Sequence, residues 1–171
     1  MRQKAATSFR SESTGDTVSS GTRTQGAKAR AELEEKVRSI LVIAGESDYE
    51  DWQDSVFAQE LAPLVRKYGE AAVKCVGEMV TRDGCGALVA GDALESLGRL
   101  HDPATSDARL RVLERGLSSK SVKIRAGAAF GLAYMGDARA LPSLNRAIKK
   151  ETSSTLREHM EHIRRRLEGN R

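Results

Sequence analysis

The chain has 171 residues, with 28 Lys and Arg against 24 Asp and Glu, for a formal net charge of +4. Only 4% of residues are aromatic, and Ala, Leu and Val supply most of the apolar mass, which suits close helix packing better than wide sheets. No run of about 18 apolar residues occurs, which excludes a membrane-spanning helix, and two cysteines, Cys75 and Cys85, are too few for a disulfide framework or a metal set.

Residues 1–28 are rich in Ser, Thr and Gly, with Phe9 and Val18 nearly the only large apolar groups after Met1. Such a segment cannot bury enough surface to offset its ordering entropy, so a disordered tail is predicted. Its opening stretch, Met1 to Ser11, is acid-poor and rich in Arg, Ser and Ala, as organelle transit peptides are; a plain tail is the simpler reading. From residue 29 to residue 171 the pattern is helical and reads as one domain. Leu33, Val37, Ile40, Leu41 and Ala44 follow the 3.6-residue period, and Gly45 marks a helix stop. Ser47 or Asp48 can cap the next helix, with Glu50 and Asp51 in its first turn. Trp52, Val56, Leu61, Leu64, Val65 and Tyr68 recur on one side, and Pro63 makes this one kinked helix or two short ones. Val73, Val76, Met79 and Val80 form the next stripe, ended near Asp83 and Gly84, and Leu94, Leu97 and Leu100 the one after it.

The last third repeats itself. At an offset of 35 residues Ala93 falls on Ala128, Leu97 on Leu132, Leu100 on Met135 and Asp102 on Asp137. The following helices match at an offset of 31, with Leu110, Leu113 and Leu117 on Leu141, Leu144 and Ile148, which implies a four-residue insertion around Ala104 to Asp107. A third copy begins at an offset of 32, where Ile124 and Arg125 align with Leu156 and Arg157, and Ala128 with Met160. Periods of this size mark helical repeat arrays.

The segment from Ile124 to Leu144 combines an aliphatic–Arg pair (Ile124, Arg125), paired alanines (Ala128, Ala129), Leu132, the Gly136–Asp137 turn and Pro142 at the opening of a second helix. This pattern resembles the HEAT-like repeat family first noted in phycobilisome lyases. The resemblance covers about residues 88–168 and is weak over 29–87, where the Gly-Asp turn is missing. It implies an all-α fold, an α-α superhelix (HEAT-like solenoid) of about four helix pairs. It also implies an adaptor role, with bilin lyase-type activity as a remote alternative drawn from the family name. The small residues explain themselves physically: alanines, with Gly127 and Gly131, let one helix approach its neighbour closely.

Candidate chemistry is sparse. His159 and His162 stand at i, i+3, not the i, i+4 spacing of a zinc-protease helix, and no further ligand pair is visible. Asp48, Glu50, Asp51 and Asp54 lack the alternation, central Gly and terminal Glu of a calcium loop. Neither cysteine has an adjacent His or basic cluster to activate it. No phosphate loop, nucleophile elbow or dinucleotide glycine motif occurs. The expectation is a cytoplasmic, non-enzymatic protein with no cofactor and no metal.

Charge carries more information. Residues 1–28 have net charge +3, residues 29–108 net −8 and residues 109–171 net +9. A field of that asymmetry steers partners. The predicted partner-binding surface is basic and is formed by Arg125, Arg146, Lys149, Lys150, Arg157, Arg164, Arg165 and Arg166. The expected partner is a protein with an acidic surface. Nucleic acid is the alternative, disfavoured because the only aromatics of the basic part, Phe130 and Tyr134, fall inside a repeat helix where bases could not stack on them.

Overall fold

The computed structural model describes residues 18–46, 56–82 and 85–169. Among them are eight α-helices, two short 3-10 turns and no strand. The helices are α1 (Val18–Glu46), α2 (Val56–Tyr68), α3 (Glu70–Thr81), α4 (Ala87–Arg99), α5 (Ser106–Gly116), α6 (Val122–Met135), α7 (Leu141–Lys150) and α8 (Ser154–Gly169). The all-α repeat fold is as the sequence predicts. Among the described residues no helix is long and apolar enough to cross a membrane.

The chain divides into two units, residues 1–32 and residues 33–171. In the first, α1 opens at Val18, inside the span predicted as a tail, because helix extension adds a hydrogen bond for each residue fixed once a helix is nucleated. Residues 25–32 of that stretch are solvent-exposed and add nothing to a core. Residues 1–17, like the acidic stretch 47–55 with Trp52 and the predicted stop at Asp83 and Gly84, lie outside the described residues.

The second unit holds the core. α2, α4, α6 and α8 pack in succession as one layer, and α3 and α5 pack side by side in another, with α7 against α8. The predicted stripes are buried: Leu33, Val37, Ile40 and Leu41 on α1, Val73, Val76 and Val80 on α3, and Leu156, Met160, Ile163 and Leu167 on α8. Pro63 sits inside α2 without splitting it, so the one-helix alternative holds. The break between α2 and α3 is the single residue Gly69, whose φ of 56° is open to glycine without strain.

The tightest packing joins α4 to α6. A Cβ on Gly127 would collide with the Gly91 backbone, and one on Gly98 with the Gly131 backbone. One on Gly131 would lie 2.7 Å from the Leu94 carbonyl oxygen, and one on Gly91 2.8 Å from that of Lys123. The two helices therefore touch backbone to backbone, and Ala90, Ala93, Ala128 and Leu97 around them are fully buried. The close approach predicted for Gly127 and Gly131 is present, with Gly91 and Gly98 supplying its other side.

The predicted insertion at Ala104 to Asp107 is absent. α4 and α6 begin at Ala87 and Val122, and α5 and α7 at Ser106 and Leu141, so both steps are 35 residues. Both connections are 3-10 turns opened by an aspartate: Asp102 Oδ1 accepts from the Ala104 N–H (3.1 Å) and Asp137 Oδ1 from the Arg139 N–H (2.9 Å). Offsets of 31 and 35 differ by about one helical turn, so an apolar stripe matches itself at either. Pro142 stands in the first turn of α7, where it costs no helical hydrogen bond.

Gly127→Ala is expected to destabilise the protein by about 1–3 kcal/mol in urea unfolding, because backbone cannot yield to the new methyl as a side chain would. Ala128→Glu, which buries an unpaired carboxylate where α6 meets Gly116 of α5, should cost about 3–5 kcal/mol. A variant melting within a degree or two of the parent would refute the helix register.

Candidate binding groove

A groove of about 560 Å³ lies between the end of α5 and α7. Its walls carry Arg115, Ser118 and Ser119 from the end of α5 and Ser143, Arg146 and Lys150 from α7, with Arg125, Glu151 and Thr152 at one end. Arg146 donates to Ser143 Oγ (2.9 Å), which donates to Glu114 Oε1 (2.6 Å), so side chains meet across the groove at one point. Arg115 and Lys150 form no ion pair among the described residues.

The end wall is an internal bridge. Arg125 Nε and Nη2 each donate to a Glu151 carboxylate oxygen at 2.7 Å, and Arg125 Nη1 donates to the Ser119 and Lys120 carbonyls at 3.0 Å. The Glu151 side chain is 1% exposed and that of Arg125 15%. Glu151 also accepts from the Ser153 N–H (2.9 Å), just before α8. The Arg125 hydrogen bonds, aided by the Ser153 N–H, outweigh burial and hold the Glu151 pKa at about 2, against an ordinary 4.5.

The eight residues predicted to form one basic surface do not share one role. Arg125 is consumed by Glu151 and is no free cation. Arg166 donates to the Ala133 carbonyl (2.6 Å) and caps the end of α6. Arg164 pairs with Glu168 along α8 (2.8 Å). Arg157 and Arg165 are exposed on α8, and Lys149 is exposed on α7 without lining the groove. Arg146 and Lys150 do line it. Sequence reasoning counts Arg115 in the basic part of the chain but leaves it out of the partner-binding set, and it misses the hydroxyls and the Glu151 counter-ion. The signal was available: Arg111 and Arg115 precede Arg146 and Lys150 by 35 residues, but an offset of 31 hides that match.

Other side chains settle into structural contacts. Arg109, buried on α5, donates to the carbonyls of Leu97 (3.1 Å), Leu100 and Asp102 (2.9 Å) and closes the end of α4. Arg139 bridges Asp137 (2.7 Å) and Asp107 (2.8 Å) at the surface. His159 lies 5.7 Å from the Phe130 ring, centroid to centroid. Tyr134 departs from the sequence-based expectation: it is half-exposed, and its ring is covered by Arg99 at 4.4 Å rather than packed away.

Sequential helices stacked in layers and joined by aspartate-capped turns define an all-α helical-repeat protein. Residues 124–150, running through α6, the Asp137 turn and α7, match the family described as PBS lyase HEAT-like repeat. No curated protein and no solved structure matches the chain significantly.

Glu151→Gln should lower stability by about 3 kcal/mol at neutral pH, because it strips a buried arginine of its charge partner. The folded pKa lies below the unfolded one, so the contribution is complete above about pH 5 and is lost as pH falls from 4.5 towards 2. Urea unfolding from pH 7 to pH 3 should show the gap between parent and variant narrowing only in that acidic window.

Proposed function

We propose that the chain is a non-enzymatic adaptor that binds an acidic segment of a partner protein in the α5–α7 groove. The observation that carries this reading is the convergence of Arg115, Arg146 and Lys150 on a groove whose other cation, Arg125, is already neutralised. Long-range attraction to such a cluster speeds encounter, and desolvated charge pairs formed inside the groove slow escape. Hydroxyls at Ser118, Ser119, Ser143 and Thr152 add hydrogen-bonding partners for a peptide backbone. The cytoplasm is the proposed setting, where the thiols of Cys75 and Cys85 stay reduced. Nucleic acid is the weaker reading, because the half-exposed aromatic of the basic part, Tyr134, is already covered by Arg99.

The test is a pull-down from native extract at low and high salt with the parent and with Arg115→Glu/Lys150→Glu. Acidic proteins retained by the parent should be released by salt and lost by the double variant, while its circular dichroism and melting stay unchanged. Retention by the variant would remove the groove from the interaction. Gel shifts with duplex DNA and structured RNA form the second arm: tight binding that weakens steeply with salt would replace the protein-adaptor reading with a nucleic-acid one.

A further inference from the structure

The chain itself carries an acidic segment of the kind the groove is read as binding. Residues 39–65 hold six Asp and Glu and no Lys or Arg. Four of the six, Asp48, Glu50, Asp51 and Asp54, fall within residues 47–55, which join α1 to α2 and lie outside the described residues. Another, Glu60, is exposed on α2 and forms no ion pair among the described residues. By contrast, Glu70, Glu95 and Asp107 are paired with Lys74, Arg99 and Arg139 within the fold.

The groove has the opposite balance. Four cations line it, Arg115, Arg125, Arg146 and Lys150, against Glu114 and Glu151, a surplus of two positive charges. The two features belong to different ends of the array. Residues 47–55 lead into α2, the first helix of the layer formed by α2, α4, α6 and α8. The end wall of the groove is Arg125 on α6 and Glu151 just before α8, the last two helices of that layer, and α4 stands between α2 and α6. Opposite charges kept apart in one copy come together when the start of a second copy is set against the groove of the first. The field of such a chain, net −8 over residues 29–108 and net +9 over residues 109–171, favours that head-to-tail encounter.

We propose that the groove of one copy takes residues 47–55 of a second copy of this chain. This rests on the adaptor reading and names the chain itself as an acidic partner. The contact joins unlike surfaces, so a pair keeps a free groove on one copy and a free acidic segment on the other, open to a third copy or to closing on each other.

Sedimentation equilibrium of the full chain at low salt tests the pairing. The parent's average mass should rise with concentration and fall to that of one copy at about 1 M salt, where the Debye length is about 3 Å. Arg115→Gln/Lys150→Gln in the groove and Asp48→Asn/Glu50→Gln/Asp51→Asn/Asp54→Asn in the segment should each weaken association about tenfold or more, with unchanged melting temperature. Mixed together, the two variants should form pairs of one copy of each and nothing larger, because one intact groove meets one intact segment. A free peptide with the sequence of residues 47–55 should lower the parent's mass, and the same peptide with its four acids replaced by Asn and Gln should not. The peptide arm needs no substitution in the chain and decides the outcome where a variant fails to fold. A parent that stays a single copy at every concentration overturns the pairing, and leaves the adaptor reading standing where capture of acidic proteins still requires Arg115 and Lys150. Association that survives either variant, or a mixture that stays as single copies, also overturns the pairing. A groove variant that loses neither association nor capture of acidic proteins overturns both readings.

Discussion

Backbone contact between α4 and α6 is the constraint on which the rest of the second unit depends. At Gly91, Gly98, Gly127 and Gly131 main-chain atoms of the two helices meet with no side chain between them, and these contacts set the separation and register. Leucines and valines elsewhere can re-pack by changing rotamer, but a main-chain seam has no such freedom. The helices that follow in sequence, α5 and α7, inherit their placement from it. Both steps along the repeat are 35 residues. Glycine inside a helix costs about 1 kcal/mol relative to alanine, so four of them in two helices make sense only where close approach returns more than is lost.

Arginine does two kinds of work in this chain, and the charge count does not separate them. Arg109 and Arg166 supply donors to carbonyls at the ends of α4 and α6, and Arg125 ties the start of α6 to the residues before α8 through Glu151. The planar, always-charged guanidinium suits these tasks because it presents several donors in one fork. The net +9 of residues 109–171 thus overstates the charge offered to a partner. What remains exposed on the groove is concentrated on α5 and α7, where Glu151 is neutralised by Arg125 and Glu114 accepts from the Ser143 hydroxyl and keeps its charge.

The fold was legible in the sequence because apolar periodicity and small-residue spacing both report on local geometry. The buried stripe of α8, the helical run through Pro63 and the close approach at Gly127 and Gly131 all follow from the pattern of residues. The register of α7 on α5 does not, because a leucine stripe shifted by one turn still looks like itself. The site was half legible for a related reason. Arg146 and Lys150 were recognised as cations, but Glu151 meets Arg125 across 26 residues of sequence, and no linear pattern reveals that one neutralises the other. Arg115 was visible as a cation, but its match to Lys150 follows only from the correct offset.

The seam between α4 and α6 also bears on how the chain finds its fold. Its two sides are about 35 residues apart in sequence, with a 3-10 turn and α5 in the intervening loop. The entropy lost on closing a loop grows only with the logarithm of its length, and a loop this short lies at the inexpensive end. Contacts of such modest sequence separation characterise rapidly folding helical proteins. Once α4 and α6 have met, α2 and α8 each dock on an existing surface as nearest neighbours, in the manner of a one-dimensional array that grows outward from a formed pair.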